Sequence, residues 1–200
     1  VAAHYREVAE RHGFAPEEEK LGQAFRAAFR TLPPPLTTRL PRPDDDRGWW
    51  RTLVDRVVEE TGAPASFNRD RYFDELYEEF TRPGVWELYP EVREVLGQLA
   101  GRYRLGIISN FDGRLRTILR QLGLGDAFEV IAISSEVGAE KPDPWIFERA
   151  LALAGVNALE ALHVGDDPEC DWEGAERAGL LSFRLDRPGN DLRGVLQAVR

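Results

Sequence analysis

Residues 161–171 read Ala-Leu-His-Val-Gly-Asp-Asp-Pro-Glu-Cys-Asp, ALHVGDDPECD. The apolar run ALHV is too short for a stable helix and stops at glycine, which is the pattern of a buried strand ending in a turn. Asp166, Asp167 and Asp171 are crowded just beyond it. Three carboxylates at such spacing repel one another unless hydrogen-bond donors or a cation compensate. A hard divalent ion such as Mg²⁺ is one compensator; a solvated acidic turn capping the next helix is the other.

Working outward, two more short apolar runs end in chemically suggestive residues. RLGIIS (104–109) closes on Ser109-Asn110, and EVIAIS (129–134) leads through Ser135 and Glu136 to Lys141-Pro142-Asp143-Pro144. Before the first lies a segment with helical spacing, Val92, Val95, Leu96 and Leu99, and between the two lies another, Leu115, Ile118, Leu119 and Leu122, which stops at Gly123 where a glycine cap is expected. PWIFERALALAG (144–155), DWEGAERAG (171–179) and a short segment near 191–199 read as further helices, with LSFRL (181–185) as a last strand. Alternating helices and short, doubly apolar strands predict a parallel sheet covered on both faces. Ligands in such sheets bind beyond the carboxyl ends of the strands. That rim is where the hydroxyl, the ammonium and the carboxylates are expected to converge.

Lys141 stands out because Lys20 and Lys141 are the only lysines among 26 basic residues. A chain that otherwise uses Arg and keeps a lysine in a loop points to a need for a compact positive charge. The P-D-P that follows also fits a plain helix start, with Asp143 as N-cap and Pro144 at the first helical position. Ser109 taken alone fits a serine bonding to nearby backbone equally well.

Residues 1–82 contain helices and loops and no strand pattern. Leu21, Ala24, Phe25 and Ala28 form one helical stripe; Trp50, Leu53, Val54, Val57 and Val58 form another; Tyr72, Phe73, Leu76, Tyr77 and Phe80 a third. The domain boundary is expected at residues 82/83. The composition, 42% apolar and 30% charged over 200 residues, is that of a globular chain. A net charge of −9 opposes the attraction to phosphate backbones on which general nucleic-acid binding depends. No run approaches the roughly 20 apolar residues of a membrane span, and the single Cys170 has no internal partner for a disulfide. The expectation is a cytoplasmic protein with neither nucleic-acid nor membrane partners.

Taken together, Ser109 in IISN, Lys141 in KPDP and Gly165, Asp166 and Asp171 in GDDPECD resemble the second, third and fourth motifs of the haloacid dehalogenase superfamily, in order and in spacing. The resemblance covers residues 84–200, and residues 1–82 are similar to the helical cap of that family. It implies an α/β fold, a Rossmann-like parallel sheet with helices on both faces, plus an all-helical cap closing over the site. It further implies a Mg²⁺-dependent phosphohydrolase acting on a small phosphorylated metabolite through an aspartyl-phosphate. Ser109 and the Asn110 N–H would bind the phosphoryl oxygens, and Lys141 would stabilise their charge. Asp166 would ligate Mg²⁺ directly, and Asp171 would hold it through water or orient Lys141.

The nucleophilic aspartate of such enzymes lies in a first motif for which residues 1–200 contain no counterpart. It is expected upstream of Val1, on a strand between those matching RLGIIS and ALHV. Two alternatives stand beside this reading. A 2-haloacid dehalogenase needs no metal, but acids in GDDPECD would repel a haloacid carboxylate. A non-enzymatic interaction protein that had lost its nucleophile would leave Lys141, Asp166 and Asp171 without a task. Arg39, Arg42, Trp49, Trp50 and Trp86 are candidates for substrate contact, each also readable as core or surface. His163 is expected to pack or to bond to backbone, and Cys170 offers a thiol whose oxidation would disturb the acidic loop.

Overall fold

The computed structural model describes residues 1–199, which divide into two compact units, Val1–Pro35 with Asp46–Trp86, and Leu36–Asp45 with residues 87–199. Among the described residues no helix is long and apolar enough to cross a membrane.

The first unit is all-helical: α1 (Ala2–Arg11), α2 (Glu18–Thr31), α3 (Arg47–Thr61) and α4 (Arg69–Glu79). Its core comprises the stripes expected from the sequence, including Leu21, Ala24, Ala28, Leu53, Val54, Val57, Val58, Tyr72, Phe73 and Leu76. Trp49 and Trp50 pack against this core, and Trp49 donates its indole N–H to the Pro33 carbonyl. The Trp86 indole is likewise engaged, by the Phe80 carbonyl at 2.8 Å.

The second unit alternates helix and strand: α5 (Val92–Leu99), β1 (Gly106–Ser109), α6 (Arg114–Gln121), β2 (Val130–Ile133), α7 (Ser134–Val137), α8 (Pro144–Ala154), β3 (Leu162–Gly165), α9 (Gly174–Arg177), β4 (Leu181–Arg184) and α10 (Val195–Ala198). The strands form two parallel pairs. β1 pairs with β2 from Gly106↔Val130 to Ser109↔Ile133, and β3 pairs with β4 from Leu162↔Leu181 to Gly165↔Arg184. Both faces carry helices. Ile108 and Ala132 pack with Ile146, Phe147 and Ala150 of α8 and Ala175 of α9, while Leu162, Val164 and Phe183 pack with α5 and α10 through Val95, Leu99 and Val195. The two pairs are separate, so among the described residues each of the four strands, β1 and β3 included, has one unpaired edge.

The helix starts and stops follow the sequence chemistry. Asp143 caps α8 through the Trp145 N–H with Pro144 at its first position, and Gly123, at φ +69°, closes the end of α6. The main departure lies in DWEGAERAG, where residues Pro168–Glu173 form a π-helix before α9 begins. Asp167 initiates it, accepting the Glu169 and Cys170 N–H groups on its side chain, so the wide turn starts inside the acidic loop.

Residues 36–45, expected within the helical part, lie along the α/β unit instead. The Thr38 and Arg39 amides donate to the Gly138 carbonyl and the Arg42 amide to that of Ser135. Gly138 sits at φ +74°, and a Cβ there would fall 2.1 Å from the Leu40 carbonyl oxygen. Backbone strain and steric overlap act in the same direction at this position, so Gly138→Ala is expected to cost about 2 kcal/mol or more. A lowered urea midpoint for unfolding of the α/β unit checks this; an unchanged midpoint contradicts it.

Candidate active site

The site is built at the carboxyl ends of β1 and β3, where each strand hands over to a loop. β3 ends at Gly165, and the glycine is a steric necessity: a Cβ on it would fall 2.2 Å from Cγ of Asp171. With that space open, the Asp171 carboxylate folds back under the strand end. Its Oδ2 accepts the backbone N–H groups of Asp166 at 3.1 Å and Asp167 at 3.0 Å. Its Oδ1 faces Lys141 Nζ at 2.6 Å and His163 Nε2 at 2.9 Å. Asp171 is only 5% exposed, so these four donors are what make its charge tolerable. Burial alone pushes the carboxyl pKa up. The hydrogen bond from His163, the Lys141 charge, and the hydrogen bonds from Lys141 and the Asp167 amide together hold it well below the ordinary carboxylate range.

Lys141 is fixed at both ends. Its ammonium sits on Asp171, and its backbone is clamped by the Asn110 side chain, which accepts the Lys141 N–H at 2.7 Å and donates to the Lys141 carbonyl at 2.8 Å. Asn110 follows directly on Ser109, so this clamp joins the loop after β1 to the loop holding Lys141. Asn110, Lys141, Asp171 and the Asp166 amide are thus linked through one hydrogen-bonded chain, with Ser109 next to it in sequence. The side-chain clamp of Asn110 is additional to the backbone role read from the sequence.

The three acids of GDDPECD have separate tasks. Asp167 caps the π-helix and Asp171 holds Lys141. Asp166 is exposed, and its carboxylate has no hydrogen-bond partner among the described residues. The Ser109 hydroxyl is equally without a partner among them, on a half-buried residue. Hard divalent cations take oxygen ligands, and the Asp166 carboxylate is a donor of that kind, available at a strand end; its chemistry fits Mg²⁺. Asp171 has both oxygens committed to protein donors, and its observed contact is with Lys141. One further group of metal-type donors, His4, Glu7 and Glu79, occurs in the helical unit, where Glu79 is already paired with Arg11 at 3.2 Å and Arg82 at 2.7 Å.

Other candidate residues take the following places. His163 is buried and packs edge-on against the ring of Phe147 at 5.2 Å, the packing that was one of its two expected roles, and its hydrogen bond goes to the Asp171 side chain instead of to backbone. The signal for this was its position: flanked by Leu162 and Val164 on a strand, it faces away from them, toward α8. Burial and then the Asp167 charge push the Cys170 thiol up to about 12, which keeps it protonated and opposes an oxidation-sensitive role. Arg42 is buried near Glu140, at 4.0 Å, and the Arg39 guanidinium lies over the Trp145 ring at 5.2 Å.

A depressed native carboxyl contributes stability that is complete above the unfolded value near pH 4 and is lost as pH falls from there toward the native one. Asp171→Asn is therefore expected to cost about 3 kcal/mol at pH 6, since it strands a half-buried ammonium. The gap to the parent protein should narrow by about 1 kcal/mol between pH 4 and pH 3. Urea unfolding at both pH values reads this; a gap independent of pH in that window counts against Asp171 as the titrating group.

Known proteins resemble this chain over most of its length. A model of the haloacid dehalogenase-like hydrolases matches residues 2–179. Haloacid dehalogenase-like hydrolase domain-containing protein 3 of Mus musculus is 36% identical over 185 residues, covering 92% of this chain and 74% of its own. Phosphoserine phosphatase of Thermus thermophilus is 38% identical over 139 residues, 68% of this chain and 54% of its own. Among solved structures, a HAD phosphatase from Thermococcus onnurineus superposes with a TM-score of 0.67 at 22% identity, covering 99% of this chain and 87% of that one. A parallel α/β unit with Ser109, Lys141 and the GDxxxxD acids joined at its strand ends, together with a family match spanning most of the sequence, establishes that this chain belongs to the haloacid dehalogenase-like hydrolases.

Proposed function

We propose that the complete protein is a Mg²⁺-dependent phosphohydrolase for a small phosphorylated metabolite, working through an aspartyl-phosphate whose nucleophile lies outside residues 1–200. The observation that carries this reading is the Lys141 ammonium, locked between Asp171 and Asn110 beside a free Ser109 hydroxyl and a free Asp166 carboxylate. The phosphatase among the relatives supports the same chemistry.

The roles follow from charge and reach. Lys141 has three N–H donors and gives one to Asp171, which leaves positive charge and two donors for phosphoryl oxygens. Held in place before substrate arrives, such a group stabilises developing negative charge without reorganising. The Ser109 hydroxyl donates to a phosphoryl oxygen, and the Asn110 amide beside it adds a second donor. Asp166, with further oxygen ligands from outside residues 1–200, would hold Mg²⁺, which would supply neutralisation of the phosphoryl charge. A free carboxylate at this position repels a haloacid carboxylate, which ranks dehalogenation below phosphate hydrolysis.

The sheet supports a nucleophile-bearing strand between β1 and β3. Both strands keep an unpaired edge among the described residues, and Ile107, Ile108, Leu162 and Val164 are only half-buried although helices cover the sheet. A parallel strand in that place satisfies the edge N–H and C=O groups and covers those side chains.

Turnover of p-nitrophenyl phosphate by the complete protein, with and without Mg²⁺, tests the proposal. Activity that requires the ion is expected, and Lys141→Ala should lower turnover by about 10² to 10³, the scale of removing one transition-state electrostatic partner. Metal-independent release of halide from a 2-haloacid, without phosphatase activity, overturns it. So does near-full phosphatase activity in Lys141→Ala.

A further inference from the structure

The loops after β1 and β2 are tied down by a residue from far earlier in the chain. Asp45 ends the stretch 36–45 that runs along the α/β unit, and its carboxylate accepts the Gly113 N–H on both oxygens, at 3.0 and 2.9 Å. It also accepts the hydroxyl of Ser135, a residue only 1% exposed. Gly113 closes the loop that begins at Ser109-Asn110, and Ser135 opens the path that leads to Lys141. One carboxylate therefore bridges the two loops that carry the candidate catalytic groups.

The surrounding contacts make this bridge directional. The Arg42 amide donates to the Ser135 carbonyl, and the Asp45 amide to that of Arg42, so backbone and side chain of the stretch grip the same turn. Asp45 and Asp46 both have positive φ, +50° and +61°, a region that costs a non-glycine residue energy. Such a conformation persists where surrounding contacts over-determine it, and for Asp45 the Gly113 N–H and the Ser135 hydroxyl on its carboxylate are those contacts. Gly113 is shaped for the contact, since a Cβ there would fall 2.8 Å from Asp45 Oδ2.

We propose that Asp45 is a positioning residue: its carboxylate sets the loop after Ser109 relative to the turn before Lys141, and thereby the spacing of the two groups. As far as turnover is concerned, this rests on the phosphohydrolase reading above. The bridge itself does not.

Three variants of the complete protein test it. In Asp45→Ala, hydrogen exchange at the Gly113 N–H should accelerate about tenfold or more while amides of the β3–β4 pair keep their protection. Turnover of p-nitrophenyl phosphate should fall by about tenfold or more with KM changed less than kcat, because a small misplacement of catalytic groups acts mainly on the transition state. Asp45→Asn retains an oxygen acceptor and should recover part of both effects. Gly113→Ala leaves Asp45 in place and suits the backbone, at φ −58°, yet should reproduce the turnover loss by pushing the carboxylate away. Unchanged Gly113 exchange in Asp45→Ala overturns the proposal, as does acceleration spread equally over the β3–β4 pair, which marks a global structural role, or full turnover. If the parent protein shows no phosphatase activity, the phosphohydrolase reading falls separately. Gly113 exchange then decides alone, with a local acceleration supporting the bridge and its absence refuting it.

Discussion

A carboxylate buried to within 5% of full enclosure is untenable without compensation, and the way Asp171 is compensated organises the α/β unit around it. Two backbone amides, a histidine and a lysine meet on its two oxygens. Each donor arrives from a different constraint. The amides come from the turn that Gly165 opens, the imidazole from the face of β3 turned toward α8, and the ammonium from a loop held by Asn110. Remove any one and the remaining charges are no longer balanced in a region that excludes water. The same network that makes the fold tolerate Asp171 fixes the Lys141 ammonium in place.

This double use explains why the acids of one loop behave so differently. Asp167 is consumed in starting the π-helix, and the wide turn it starts brings Asp171 back beneath the strand end. Asp166 is exposed, and its carboxylate has no hydrogen-bond partner among the described residues. Crowding that looks electrostatically unfavourable in the sequence is resolved by giving two of the three acids to hydrogen-bond donors and leaving the third exposed to solvent. π-Helical turns recur at functional sites for this kind of reason: one added residue per turn re-aims a side chain that a regular helix would present elsewhere.

The parts of this design that were legible in the sequence are those encoded locally. ALHV, RLGIIS and EVIAIS are read as strands from their apolar content, and KPDP as a helix start from its cap chemistry; β1, β2, β3 and α8 form at those places. The convergence of Ser109, Lys141 and Asp171 on one rim follows from parallel topology once the alternation is recognised. What was not legible depends on contacts across long sequence separations. Nothing near Asp45 distinguishes it from its neighbours Asp44 and Asp46, because its partners lie 68 and 90 residues away. The membership of residues 36–45 in the α/β unit is hidden for the same reason: a proline-rich loop has no periodicity to betray which surface it follows. Asn110 was read for its backbone amide, since the clamp by its side chain appears only when the loop of Lys141 is folded against it.

The choice of lysine in an arginine-rich chain can now be given a physical cause. A guanidinium is a planar fork that satisfies a carboxylate by pairing with it edge to edge, and Asp112 and Arg114 do this in the neighbouring loop, with Nε at 2.8 Å and Nη2 at 2.6 Å. At Asp171 one oxygen is already occupied by two amides and the other is shared with His163, so no free edge is left for a fork. An ammonium needs a single oxygen, and its remaining donors point away from the pair. A fork here would either displace the imidazole or pull the amides from Oδ2, and in both cases the charge would turn inward to the protein. The compact ammonium is the group that balances Asp171 on one oxygen and keeps donors to spare.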